Sequence, residues 1–221
     1  MKLFDIGHVF PFGWETITKA YWRKYPNDLA THVVSVDVLE RSVDSNGHLR
    51  STRLVCVDQP APSILKKLGF NVSNTAYFLE TSVVDPKARR FEAKTENLTL
   101  TNICQTIENC VFTPGEYDPS IESYTTNYSQ NGHVSAVKTL SYLGRLVEEA
   151  AVNRFYANAS KGRAALEQVV HKVHMEGAKG LGDLMMHSRP CISNTVESFN
   201  DSVDDFEPDN TFDQGAFSFL R

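Results

Sequence analysis

From residue 32 to about 137 the hydrophobic side chains recur with a period of two, and from Tyr142 they recur at helical spacing. Residues 32–40 (HVVSVDVLE) and 48–57 (HLRSTRLVCV) flank Ser45-Asn46-Gly47, a hairpin turn signal. Further alternating runs occupy 77–85, 89–100, 103–113 and 121–137. Asp85-Pro86, Thr101-Asn102 and Pro114-Gly115 punctuate them, and Asn131-Gly132 is placed to split the last. Residues 3–10 read as one more strand. Gly13 to Tyr25 carries Trp14, Ile17, Tyr21 and Trp22 at near-helical spacing before Pro26 ends it. Short links between strands predict an antiparallel meander of six or seven.

Tyr142 to His174 contains no proline and reads as one long helix, with Gly162 its weak point. Its apolar stripe includes Leu140, Leu143, Val147, Ala151, Phe155, Ala165, Leu166, Val169, Val170 and Val173. Within that stripe stand Arg154, Asn158 and Lys161, spaced four and three apart and so neighbours on one face. The default for such residues is the wet face of a helix. Two features point elsewhere: the apolar stripe continues on both sides of the cluster, and Asn158, a poor helix former, is spent in mid-helix. Flanking cations and an amide donor suit a phosphate-bearing head on a ligand with hydrocarbon tails.

Residues 58–75 (DQPAPSILKKLGFNVSNT) interrupt the strands. Ile64, Leu65, Leu68 and Phe70 surround Lys66 and Lys67, which fits either a lid over a binding site or a surface helix packed on the sheet. Together these elements predict an α+β fold: a curved antiparallel sheet of about seven strands covered by a long C-terminal helix, the helix-grip lipid-binding arrangement, with a lid loop. Residues 1–176 form the domain. Residues 177–221, rich in Gly, Ser and Asn with acidic residues at 201–209, are expected to be a largely disordered acidic tail.

The chain has 221 residues and a net charge of −5, which argues against nucleic acid as a partner. No apolar run reaches the length of a membrane span, and MKLFDIGHVF has no signal-peptide pattern. Cys104 and Cys110 fall on one face of one strand, too far apart to bridge; reduced, packed cysteines are expected. No nucleophile elbow, P-loop or zinc-protease motif occurs. His171 and His174 lack further ligands of clear spacing, so neither a metal nor another cofactor is expected. Cys110 could form a nucleophile–base pair with His32 or His133, but sequence separation says nothing about contact, a packed cysteine is the default, and no enzyme activity is expected.

MKLFDIGHVF, Arg23-Lys24-Tyr25-Pro26-Asn27 followed by His32-Val33, VDVLE at 36–40, SVVDP at 82–86, LTLTN at 98–102 and FYANASKGRAALE at 155–167, in that order and spacing, resemble the PRELI-like family of phospholipid carriers. VDVLE, SVVDP and LTLTN look closest to the slowmo-like branch. The resemblance implies a non-enzymatic carrier in the mitochondrial intermembrane space that moves phosphatidylserine between outer and inner membranes. It also implies a heterodimer with a small twin Cys-x9-Cys helical protein, and transient contact with anionic membranes. Carried over by motif, head-group binding falls to Lys24, His32, Arg154, Asn158 and Lys161, and the 58–75 loop becomes the lid. Phosphatidic acid carriage within the same family and a helix-grip enzyme acting on a small apolar substrate are the alternatives. Lys24 stands where phosphatidic acid carriers of the family have arginine, Val57 and Asp58 where they have lysines, and Ala150 where tryptophan is usual. The first two departures favour a head group carrying an ammonium, which Asp58 or another carboxylate near the mouth is expected to face.

Overall fold

A computed structural model describes residues 1–58, 60, 63–67, 69, 72–137 and 140–175. The acidic tail expected from residue 177, and Leu68, Phe70 and the Ile64 side chain of the expected lid, lie outside the described residues.

Seven strands form one antiparallel sheet: β1 (Lys2–Phe10), β2 (Val33–Val43), β3 (Leu49–Asp58), β4 (Thr75–Asp85), β5 (Arg90–Asn97), β6 (Cys104–Asp118) and β7 (Ser123–Ala136). The helices are α1 (Trp14–Tyr21), α2 (Ser63–Lys67) and α3 (Ser141–Met175), with a 3₁₀ turn at Asp28–Ala30. Strand order is β1-β7-β6-β5-β4-β3-β2, so consecutive strands pair except at the start, β3 and β4 being joined through the segment that carries α2. There the chain crosses from one sheet edge to the other through α1 and the 3₁₀ turn. That crossing lays both pieces against α3.

Two turn signals were overridden. Pro114-Gly115 does not end β6, which continues to Asp118 through a register shift between Pro114 and Tyr117. Asn131-Gly132 does not split β7. Gly132 is a close-approach position: a Cβ there would collide with the Ile107 carbonyl oxygen and the Phe4 ring. The space it leaves lets Phe4 stack on Phe155 of α3 with ring centroids 3.5 Å apart.

Register assigns the inward face in transverse rows. Leu49, Val84, Phe91, Phe112 and Tyr128 make one row, closed by Phe10, Trp14, Ile17 and Tyr21 above it and by Leu166, Val169, Val170 and Val173 of α3. This is the solid end of the core. The next inward row runs Ser51, Ser82, Ala93, Cys110 and Gln130, and the next Arg53, Glu80, Thr95, Glu108 and Gly132. Polarity thus rises across the floor of the sheet away from the aromatic cluster. There α3 packs Ala151, Val152 and Phe155 on Phe4, Cys104 and Val134 of β1, β6 and β7.

Beyond those rows α2 closes the far end. Leu65 is 3% exposed and joins Ile103 and Val147 in a small cluster bordered by Val72, Leu100, Cys104 and Leu140. Lys66 and Lys67 are exposed beside it. Among the described residues no helix is long and apolar enough to cross a membrane.

Candidate functional site

A cavity of about 300 Å³ lies between the sheet and α3. Phe10, Val33, Val55, Val57, Phe78 and Phe155 are among its apolar lining, and Leu65 stands at its α2 end. Lys24, His32, Arg154 and Asn158, four of the five expected head-group residues, line it.

Lys161 does not line the cavity, and its side chain is exposed. Helix geometry explains this. At about 100° per residue, Asn158 stands about 40° from Arg154, while Lys161 stands about 20° on the other side. The cavity-facing Gly162, Phe155 and Leu166 stand about 80–120° round, and Arg163 about 180°. The wall of α3 is therefore centred well away from the stripe the sequence marks. Arg154 borders one flank and Arg163, which also lines the cavity, borders the other. Arg163 was missed because it falls outside the Arg154–Asn158–Lys161 stripe. Its Nη1 is buried with no hydrogen-bond partner among the described residues.

The segment after α1 brings in the remaining cations. Asn27 accepts from the Leu29 amide at 2.8 Å and donates to Gln168 Oε1 at 3.0 Å, pinning this segment to α3. A Cβ at Gly162 would lie 3.4 Å from the Tyr25 hydroxyl, so the helix's weak point is where Tyr25 seats. Lys24 Nζ lies 4.5 Å from the Tyr21 ring centroid and 4.7 Å from that of Tyr25. Burial alone lowers the pKa of the ammonium, but Tyr25, Glu80 and Cys110 outweigh it and leave Lys24 above the ordinary lysine value. His32 is shifted the other way, lowered first by burial and then by the Lys161 and Lys24 charges. Its Nδ1 is buried without a partner among the described residues. Lys161, though outside the wall, is close enough to act on His32. Burial also lowers Arg154.

The floor carries chemistry that motif reading did not reach. Arg53 donates to Glu80 Oε1 from Nε at 2.8 Å and from Nη2 at 2.5 Å, and the Tyr21 hydroxyl donates to Glu80 Oε2 at 2.8 Å. The Arg53 guanidinium also faces the Tyr21 and Trp22 rings, at 5.2 and 5.0 Å. Beside this network Gln130 Nε2 donates to Glu108 Oε1 at 2.7 Å, and the Cys110 thiol donates to the same oxygen at 3.2 Å. The signal was present: period two turns Arg53, Glu80 and Glu108 inward, where a charged side chain needs a reason.

One sequence expectation is corrected here. Asp58 is exposed and does not line the cavity, so the carboxylates on the cavity lining are Glu80 and Glu108. Cys110 is not paired with His133, which alternates onto the opposite face of β7 from Gln130 and Gly132. Cys110 bonds Glu108 and Tyr128 instead, and burial, reinforced by Glu108, pushes its thiol well above the ordinary value, away from nucleophilic use. Cys56, Cys104 and Cys110 are free thiols. His171 packs edge-on against Phe12 with centroids 5.0 Å apart. The side chain of His174 lies outside the described residues.

A seven-stranded sheet gripping one long helix around an internal cavity defines the helix-grip class of fold. The crystal structure of TTHA0849 from Thermus thermophilus shares it, with a TM-score of 0.50 and 12% identity, over 77% of this chain and 98% of that one. The PRELI-like family model matches residues 15–176, and the chain belongs to that family. It is 35% identical over 175 residues to the UPS-like protein C36.10 of Schizosaccharomyces pombe, covering 79% of this chain and 92% of the relative. To the Saccharomyces cerevisiae protein UPS2, mitochondrial, it is 32% identical over 199 residues, 89% of this chain and 84% of the relative. To the slowmo homolog of Dictyostelium discoideum it is 34% identical over 184 residues, 82% and 77% of the two chains.

Proposed function

We propose that this chain is a phospholipid carrier that moves phosphatidylserine between the outer and inner mitochondrial membranes, without covalent chemistry. It works in the intermembrane space as a heterodimer with a small twin Cys-x9-Cys helical protein. The observation that carries this reading is that Lys24, His32, Arg154, Asn158 and Arg163 all line one cavity, together with the apolar side chains of Val33, Val55, Val57, Phe78 and Phe155. Family membership and the mitochondrial name of the yeast relative support it.

In this mechanism Lys66 and Lys67 hold the α2 end against an anionic bilayer, each worth about 1 kcal/mol near such a surface. Two acyl chains need more room than a cavity of about 300 Å³ offers. Loading therefore requires Leu65 to leave Ile103 and Val147. The phosphate then meets Lys24, Arg154 and Arg163, with Asn158 donating, while the chains lie against the apolar wall. Removing each methylene from a bilayer costs about 0.8 kcal/mol, which burial in the cavity must match. An anion seated near His32 opposes the Lys24 and Lys161 charges that keep the imidazole neutral, so His32 takes up a proton more readily when loaded. Unloading at the second membrane reverses these steps.

The test is transfer of labelled phosphatidylserine from donor to acceptor vesicles by the purified full chain, alone and with its helical partner. Protein-dependent movement of intact lipid is the expected result. Binding without movement would reduce the protein to a lipid sensor, and a changed head group or released acyl chain would make it an enzyme.

A further inference from the structure

We infer that Glu108 and Gln130 form the acceptor half of the head-group site and select lipids whose phosphate bears a primary ammonium over phosphate monoesters. This rests on the lipid-carrier reading and names the ligand class of that same cavity. Both side chains line the cavity from adjacent strands, Gln130 opposite Cys110 and Glu108 opposite Gly132.

Their mutual bond fixes the amide's orientation. Gln130 Nε2 donates to Glu108 Oε1 at 2.7 Å, and the reverse orientation would set two acceptors against each other. Gln130 Oε1 is then left buried without a partner among the described residues, on a side chain only 5% exposed. Both hydrogen bonds that Glu108 accepts, from Gln130 and Cys110, land on Oε1, and no ion pair to Glu108 is found among the described residues. Glu80 differs. Two strands away across the floor, at about 4.8 Å per strand, it is already engaged by Arg53 and Tyr21. The cavity therefore offers one uncompensated carboxylate and one orphaned carbonyl oxygen.

The opposite wall has the complementary deficit. Arg163 Nη1 is a buried donor with no partner among the described residues, and Lys24 and Arg154 also lie on the lining. A phosphate monoester satisfies the donors and brings further negative charge toward Glu108 with no cationic group to offset it. A head group with a phosphate and a primary ammonium satisfies both sides at once.

The experiment compares vesicle-to-vesicle transfer of phosphatidylserine and phosphatidic acid, each in a phosphatidylcholine background, by the full chain and its E108Q, E108D and Q130M variants. In E108Q, phosphatidylserine transfer is expected to fall about tenfold while phosphatidic acid transfer holds or rises. E108D keeps the wild-type preference, and Q130M shifts the ratio in the same direction as E108Q. A wild-type chain that moves both lipids, with a ratio unchanged in E108Q, overturns this inference alone. A wild-type chain that moves neither overturns the carrier reading together with it. Should E108Q lose both activities along with its thermal midpoint, Q130M decides: a shifted ratio upholds the inference and an unshifted one overturns it.

Discussion

His32 sits where burial and two lysines all disfavour its charged form, and the consequence is a pH dependence of known sign. Its folded pKa lies below the ordinary value near 6.5, so between those two values the unfolded chain binds more protons than the folded one. Without lipid, the stability associated with His32 is fully present above pH 6.5 and is lost as pH falls through that window. His32→Gln is expected to flatten the fall in urea midpoint between pH 7 and pH 5; an unchanged slope in the variant would assign the effect to other groups. The neighbouring cations differ in what they do. Arg154→Ala and Arg163→Ala, which change the cavity wall, are expected to lower transfer of anionic lipid about tenfold each. Lys161→Ala, which changes an exposed charge acting on His32, is expected to have a smaller effect that shrinks further in high salt. Equal losses in all three variants, insensitive to salt, would contradict this ordering. Arg154 and Asn158 were legible because their spacing falls on the stripe. Arg163 was not, because the true centre of the helix wall is set by what α3 packs against.

Among the secondary-structure elements, the sheet's inner face carries the energetic weight. The side chains of Arg53 and Glu80 are 5% and 7% exposed and bridge β3 to β4. Glu80→Ala leaves a buried guanidinium without its counter-charge, with an expected cost of about 3–5 kcal/mol. Replacing both partners by apolar residues, as in Arg53→Met with Glu80→Leu, should recover most of that loss in urea denaturation. A double variant no more stable than Glu80→Ala alone would show that the pair does more than balance charge. Gly132→Ala forces a methyl against the Ile107 carbonyl and the Phe4 ring and is expected to cost about 1–3 kcal/mol. Both sites explain what pattern reading misses. Alternation is enough to turn Arg53 and Glu80 inward, but only the β3–β4 register sets them opposite each other. Asn131-Gly132 reads as a turn locally, while its glycine serves a ring that arrives from β1.

For the whole molecule, architecture was the most readable layer because it follows from a change of period: strands by alternation, then one long helix. Edge placement was less readable, since pairing of β1 with β7 depends on the crossing through α1 and not on any local signal. That crossing is also what carries Lys24 and His32 to α3, so the cavity's cationic wall is a product of topology as much as of motif. The central claim is that the cavity holds one phospholipid by its charged head. Native mass spectrometry of the full chain, purified with the lipid it retains, tests this most directly. One intact phospholipid per chain, lost on Arg154→Ala with Arg163→Ala while the fold persists, is the expected result. A wild-type chain that retains no lipid, or a doubly substituted chain that retains it undiminished, would contradict the account.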